Sequence, residues 1–198
     1  MSTNAYRSKR NFNRTSEPTG SDNGMSSKKP QFVIQQHDAS TLHYDFRIEA
    51  DGVLKSWAVP KGPSTDPSAK RLAIPTEDHP LEYADFEGVI PEGEYGAGAV
   101  LIWDRGSYKN ITEKDGEIQP VDKAINAGHV LIELHGEKIK GGYALHRTGS
   151  ADNARWLLIK IDDKHADARR NPVSTEPESV SSERTIKEVA DEEEEDSK

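Results

Sequence analysis

The sequence predicts a mainly β protein: a compact closed or nearly closed β-barrel of about eight strands with one short helix. Three observations carry this. Short runs rich in Val, Ile, Tyr, Phe and Trp recur through residues 31–165, Gly, Pro and Asp turn signals separate them, and only one segment has helical spacing. The flanks differ in kind. Residues 1–30 are rich in Ser, Asn, Arg and Lys and lack apolar periodicity, which predicts a flexible basic arm; its stretch from Lys9 to Pro18 is the part placed to fold over a site, bringing Arg10 or Arg14 to a phosphate. Residues 166–198 lose periodicity and end in Asp191-Glu192-Glu193-Glu194-Glu195-Asp196, which predicts a disordered acidic tail that favours solubility.

Taken in order, Gln31 to His37 and Leu42 to Glu49 read as two strands around the polar turn Asp38-Ala39-Ser40-Thr41. Asp51-Gly52, between two strand-like runs, is a strong hairpin signal and joins the second strand to a third at Val53 to Val59. Pro60-Lys61-Gly62-Pro63 stops that strand, and Arg71 to Thr76 forms the next, with Leu72 and Ile74 on one face and Arg71 and Ala73 on the other. Pro80 ends regular pairing after His79. Leu81 to Gly98 reads as loop. Its glycines suggest a phosphate loop, but no Gly-Lys-Ser/Thr follows, so they are backbone turns. Ala99 to Asp104 is a strand, Val121 to Ala127 a helix closed by Gly128, and His129 to His135, Tyr143 to Arg147 and Arg155 to Ile161 complete the β set. Trp57, Trp103 and Trp156 fall in strands and are expected in the core.

The chain has 198 residues and no cysteine, so disulfides and thiolate metal sites are excluded, in keeping with a reducing compartment. No apolar run reaches membrane-spanning length and the N-terminus lacks a secretion signal. These features predict a soluble cytoplasmic monomer, nucleoid-associated, or nuclear in a eukaryote. The net charge of -9 is uneven, +4 over residues 1–30 and -7 over 176–198. A generic duplex binder is more basic, so nucleic-acid contact is expected at an end or a single phosphate.

The chemistry concentrates between Gln35 and Arg47. In a strand at 42–49, parity sends Leu42, Tyr44, Phe46 and Ile48 to the core and His43, Asp45 and Arg47 to the opposite face. A hairpin through residues 38–41 brings His37 beside His43 and Asp45. Two imidazoles and one carboxylate supply three ligands to a divalent metal and leave positions open, as a catalytic site requires. Arg47, two residues on, suits an anionic substrate. The competing explanation is a pair of hydrogen-bonded strand histidines beside an Asp–Arg ion pair, and spacing alone does not separate the two.

The runs FVIQQHDASTLHYDFRIEADGVLKSWAVPKGPS, KRLAIPTEDHPLEYADFEGVIPEGEYGAGAVLIWDRGSY and HGEKIKGGYALHR resemble the 3′-phosphoesterase domain of bacterial and archaeal DNA ligase D over about residues 7 to 165. The resemblance implies a β-barrel with a manganese site, zinc or cobalt being alternatives, that removes a 3′-terminal ribonucleoside and then the 3′-phosphate from a primer strand in end-joining repair. It puts the metal on His37, His43 and Asp45, the three residues parity selects. It puts catalytic and phosphate-binding groups on Arg47, His79 and Tyr83, with Gln35, Lys61 and Arg71 also on the phosphate and Glu77, Arg10 and Glu17 in support. Arg71, Glu77 and His79 share a parity, in keeping with that grouping if the strand continues past Pro75. The arm departs from the family pattern, with Asn11 where an Asp is usual and Ser16 where a Pro is usual.

The Lys-x-Asp-Gly motif of a ligase is missing, since Glu49 stands at the Lys position before Asp51-Gly52, and there is no room for a polymerase. The expectation is a stand-alone metal-dependent phosphodiesterase and phosphomonoesterase acting on DNA or RNA/DNA primer-template 3′ ends beside separate ligase and polymerase proteins. The rivals are a non-catalytic DNA-end-binding module that recruits partners, and a zinc-dependent nuclease built on the same ligands.

Overall fold

A computed structural model of the chain describes residues 3–20, 29–149 and 154–196, and side chains up to residue 192. Residues 21–28 of the expected arm and the last two of the expected tail lie outside the described residues. Among the described residues there are eleven strands: β1 (Gln31–Asp38), β2 (Leu42–Ala50), β3 (Val53–Val59), β4 (Lys70–Pro75), β5 (Gly88–Ile90), β6 (Gly98–Asn110), β7 (Glu113–Lys114), β8 (Glu117–Ile118), β9 (His129–Gly136), β10 (Lys140–Thr148) and β11 (Arg155–Lys160). Four helices accompany them: α1 (Asn4–Ser8), α2 (Val121–Ala127), α3 (Pro172–Thr175) and α4 (Ile186–Asp196). A 3₁₀ turn spans Leu81–Asp85.

The order β1-β2-β3-β4-β11-β10-β9-β6, with β6 returning to β1, closes an eight-stranded antiparallel barrel, and β5 adds to the free edge of β6. This is the predicted fold. The β2–β3 hairpin turns on Asp51 and Gly52, both with positive φ, as a two-residue turn that matches strand twist requires. α2 ends at Gly128 in the left-handed conformation, as the sequence implies.

Inside the barrel, Phe32, Ile34, Tyr44, Phe46, Ile48, Trp57, Leu101, Trp103, Ile132, Tyr143 and Trp156 form the main core. Leu42 is an exception to the expected inward face: it opens β2 at the barrel rim and is 42% exposed. Ile74 likewise lies outside the core. The opposite faces of β1, β3 and β6 are apolar too. Val33, Leu54, Val100 and Ile102 pack there against Leu81, Tyr83, Phe86 and Ile90 of the 81–90 segment and Tyr6 of the arm, making a second core outside the barrel. Period-2 alternation hides such a strand, because both faces are buried. Expecting 81–98 to be only loop therefore missed the 3₁₀ turn and β5.

Both flanks carry more structure than their composition suggests. From Thr3 to Gly20 the arm is structured. Tyr6 is fully buried, its hydroxyl donates to the Pro18 carbonyl at 2.6 Å, and Arg10 lies over its ring at 3.8 Å. Residues 166–192, expected to be disordered, strap the barrel. Trp103 Nε1 donates to the Glu176 carbonyl at 2.8 Å, the Val180 amide donates to Ile102 O at 3.0 Å, and Val189 of α4 is buried with Ile186 and Ala190 against the main core. Glu87 ties the strap to the second core, accepting bonds from Ser179, Ser182 and Arg184. The acidic composition concealed a three-residue apolar stripe at i, i+3 and i+4, and that stripe seats the helix. No helix among the described residues is long and apolar enough to cross a membrane.

Candidate metal and phosphate site

The outer face of β1 and β2 carries the site. In the hairpin register His37 stands directly opposite His43 and Gln35 opposite Asp45, so all four polar side chains, with Arg47, leave the sheet on the side away from the barrel core. His37, His43 and Asp45 each present a ligand atom within 4.8 Å of the others; they are the one group of three or more potential metal ligands found among the described residues.

Backbone contacts fix both imidazoles. His37 Nε2 lies 2.7 Å from the Gly96 carbonyl and His43 Nδ1 lies 2.9 Å from the Thr41 carbonyl. A carbonyl only accepts, so each of these nitrogens carries its hydrogen. In the neutral rings the lone pairs on His37 Nδ1 and His43 Nε2 then face Asp45, at 3.6 and 3.5 Å. Two lone pairs converging on a carboxylate need a proton or a metal cation between them, and with three ligand atoms turned to one point and both outer contacts already in place the donor set fits a divalent metal. Gly98 makes the Gly96 contact possible. A Cβ there would meet the Asp38 carbonyl oxygen at 2.0 Å, so only glycine lets the 91–97 loop close down on the end of β1.

Arg47 is almost wholly buried beside this triad. Its Nε donates to Gln35 Oε1 at 2.7 Å, Nη2 to Asp45 Oδ2 at 2.9 Å, and Nη1 lies 3.1 Å from His79 Nδ1. Burial alone would raise the Asp45 carboxyl, but the Arg47 charge and the two imidazoles outweigh it and hold it well below the usual carboxylate range. Burial also lowers His43, and the hydrogen bond and charge of Asp45 reverse that to a net rise. His79 goes the other way. Buried, and facing Arg47 and Arg10, it is held well below the ordinary imidazole value and is neutral at physiological pH. Its Nδ1 lies 2.9 Å from the Glu77 carbonyl and its Nε2 3.4 Å from Arg10 Nη2. The Glu77 carbonyl accepts and Arg47 Nη1 donates at this same Nδ1, so the contacts do not select one tautomer.

The arm completes the wall. Arg10 donates to Glu17 Oε1 at 2.8 Å and to Glu77 Oε1 at 3.2 Å, and Tyr83 donates its hydroxyl to Glu17 Oε1 at 3.0 Å. The Tyr83 ring packs 4.7 Å from His79 and lies under Arg47 at 4.9 Å. Together these residues line a cavity of about 280 Å³ that includes Arg10, His37, His43, Asp45, Arg47, Glu77, His79 and Tyr83.

Three of the residues expected at a phosphate stand elsewhere. Gln35 lies beneath the cavity, its Nε2 donating to the Tyr83 and Phe86 carbonyls at 2.9 Å, so it orients Arg47 and anchors the 81–86 segment. Lys61 is exposed in the turn after β3 and Arg71 stands on β4 opposite Leu158; neither lines the cavity. The geometry of β4 explains this. It pairs with β3 only at Trp57–Pro75 and Ala58–Ile74, then diverges toward β11 and carries Arg71 away. Arg14 pairs with Glu94 at 3.2 Å, largely exposed, and Arg10 alone of the arm arginines reaches the cavity. Sequence inspection missed Tyr6, Tyr95 and the Gly96 and Thr41 carbonyls. Backbone acceptors leave no residue-type signal, and the two tyrosines lie in segments without periodicity.

A two-histidine, one-carboxylate cluster opening into a cavity with buried guanidinium groups defines a class of site: a divalent metal set against an anionic substrate. The family profile described as the DNA ligase D 3′-phosphoesterase domain matches residues 35–147, and the chain belongs to that family, whose members act as hydrolases on phosphoester bonds. Among curated proteins it is similar to the multifunctional non-homologous end joining protein LigD of Pseudomonas aeruginosa, 48% identical over 192 residues, 91% of this chain and 21% of the relative. It is similar also to the multifunctional non-homologous end joining DNA repair protein LigD of Mycobacterium tuberculosis, 48% identical over 159 residues, 80% of this chain and 20% of the relative. The LigD of Mycolicibacterium smegmatis is 45% identical over 160 residues. The chain thus spans about a fifth of the length of the curated relatives it matches.

Proposed function

We propose that this protein heals DNA 3′ ends, removing a 3′-terminal ribonucleoside as a phosphodiesterase and a 3′-phosphate as a phosphomonoesterase, and so leaves a ligatable 3′-hydroxyl during end joining in the cytoplasm. The observation that carries the reading is the convergence of His37, His43 and Asp45 on one point of a cavity that also holds buried Arg47 and His79. His37 Nδ1, His43 Nε2 and the Asp45 carboxylate would hold the metal, which we take to be manganese. Bound there, it supplies positive charge against the negative charge that grows on the phosphoryl oxygens.

The protein's own groups do the rest. Arg47 is fixed by Gln35 and Asp45 before substrate arrives, so its charge is already aimed at the phosphate and needs no reorganisation. Arg10 brings a second positive charge from the arm. His79, neutral and lining the cavity, has a ring lone pair suited to accept a proton from an attacking water or hydroxyl. Tyr83, its hydroxyl committed to Glu17, packs its ring beneath Arg47 and holds it toward the cavity. End joining implies a ligase and a polymerase acting on the same ends.

The test is release of inorganic phosphate from a duplex oligonucleotide ending in a 3′-phosphate, with manganese, cobalt, zinc and magnesium supplied in turn. Release that depends on the metal supports the reading, and the order of the metals separates manganese from zinc use. End binding without release under every metal leaves an end-binding module instead.

A further inference from the structure

Tyr95 stands out among the aromatic residues. It lines the same cavity as Asp45, Arg47 and His79, yet it is 50% exposed, whereas the other cavity tyrosine, Tyr83, is buried. An exposed ring that a protein holds in place at a site of charged groups is an expense in ordering with no folding return. Two cations of the arm hold it, and the farther, the Arg10 guanidinium, lies 5.7 Å from the ring centre. Lys9 of the arm donates to the Tyr95 hydroxyl at 3.3 Å while itself paired with Glu77 at 3.1 Å, and its ammonium lies 4.6 Å from the ring centre. The backbone around the ring is closed by turns, Glu94 N to Pro91 O and Ala97 N to Glu94 O, each 3.1 Å. The next residue, Gly96, is the one whose carbonyl holds His37. Tyr95 is therefore built into the rim at the edge of the proposed metal and phosphate site, with half its surface open to whatever enters.

We propose that Tyr95 is a stacking platform for a nucleobase next to the scissile phosphate. A phosphate held by Arg47 has a nucleoside on its 5′ side and, in the diesterase reaction, another on its 3′ side. Every base offers a π face, so a half-exposed aromatic ring lining the same cavity as Arg47 and His79 stacks on a neighbouring base without reading sequence. Lys9, at the hydroxyl edge, adds positive charge for the adjoining backbone phosphate. Tyr95 then fixes the strand end over the cavity, and the cavity residues act on a phosphate already in place.

The inference rests on the proposed end-healing reading, and the assay separates the two. Steady-state rates are measured for the wild type, Tyr95→Ala and Tyr95→Phe on two strands with a 3′-terminal ribonucleoside. One strand carries normal bases, and the other is abasic at both positions flanking the scissile phosphate. Stacking predicts that Tyr95→Ala raises KM on the normal strand on the order of tenfold with little change in kcat, as loss of one base–aromatic contact does. Tyr95→Phe retains the wild-type KM, because the ring does the work, and on the abasic strand wild type and Tyr95→Ala have the same KM. An equal KM increase for Tyr95→Ala on both strands, or none on either, overturns the platform. Loss in Tyr95→Phe as large as in Tyr95→Ala does so too, and assigns the effect to the Lys9 contact. A wild type inactive on both strands with every metal refutes the end-healing reading itself.

Discussion

Arg47 is the residue through which the separate parts of the site meet. One guanidinium contacts Gln35, Asp45 and His79, and the planar fork alone spans all three. Arg47→Lys keeps the charge and loses the fork. It should lower kcat on a 3′-phosphate end by about 100-fold, the usual scale for removing one pre-aimed charge donor, while circular dichroism stays that of the wild type. His79 makes a different test. Its folded pKa is depressed and its unfolded value is about 6.5, so at pH 7 both states are largely neutral and the group costs nothing. Below about 6.5 the unfolded chain takes up a proton that the folded site refuses, and stability falls as pH drops toward the folded pKa, by at most about 1.4 kcal/mol per pH unit for one proton. Urea unfolding of metal-free protein between pH 7 and 5 should show a shallower loss in His79→Gln than in wild type. His43, raised by Asp45, has the opposite sign: its stabilisation is full below its unfolded pKa and fades as pH rises through the folded one. It is common to both proteins and drops out of the comparison. At this scale parity put His43, Asp45 and Arg47 on one face, since they alternate with Tyr44, Phe46 and Ile48, and the turn supplied His37; that the three ligand atoms converge was not legible, because the same spacing fits an ordinary Asp–Arg ion pair beside strand histidines. Lys61 and Arg71 were not legible in the same way, because their placement depends on where β4 leaves β3, which no local pattern encodes.

Among the elements, the arm is the one that turns a surface cluster into an enclosed site. Arg10, Thr15 and Tyr83 all donate to the Glu17 carboxylate, whose side chain is wholly buried. Glu17→Ala leaves Arg10 with Glu77 as its one carboxylate partner and takes the acceptor from the Thr15 and Tyr83 hydroxyls. Losing one partner of a buried charge and stranding buried donors costs about 1–3 kcal/mol, and the variant's urea midpoint should fall accordingly. A midpoint within error of wild type would mean that the arm does not close on the barrel in solution. The arm read as flexible because its structure comes from single anchors, Tyr6 and Arg10, set in Ser- and Asn-rich sequence rather than from a repeating apolar face. The strands of the barrel, by contrast, announce themselves by alternation and by turns such as Asp51-Gly52, and they were placed to within a few residues at most ends.

At the scale of the whole molecule, the barrel is covered on two sides: by the arm and the 81–90 segment over the site, and by the 166–192 strap over the core. Glu87 connects the two covers, bonded to the strap at Ser179 and Arg184 and to β6 at the Ile102 amide. If the strap is seated, Val189→Ala removes two buried methyl groups from the main core and should cost about 1–2 kcal/mol in urea unfolding. A detached acidic tail would give no change. Composition pointed to detachment because charge dominates α4, while the few apolar residues that decide its seating are too sparse to register in an average. Arm, segment 81–90 and barrel together enclose the three candidate ligands, and one assay reads whether they hold a metal against a strand end. A labelled DNA primer with one 3′-ribonucleotide, annealed to a longer template, is incubated with manganese and either wild-type or His43→Ala protein. Wild type should shorten the primer first to a 3′-phosphate and then to a 3′-hydroxyl, with the rate reduced on the order of 100-fold or more in the variant. A primer left intact by the wild type, or one shortened equally by His43→Ala, would contradict that expectation.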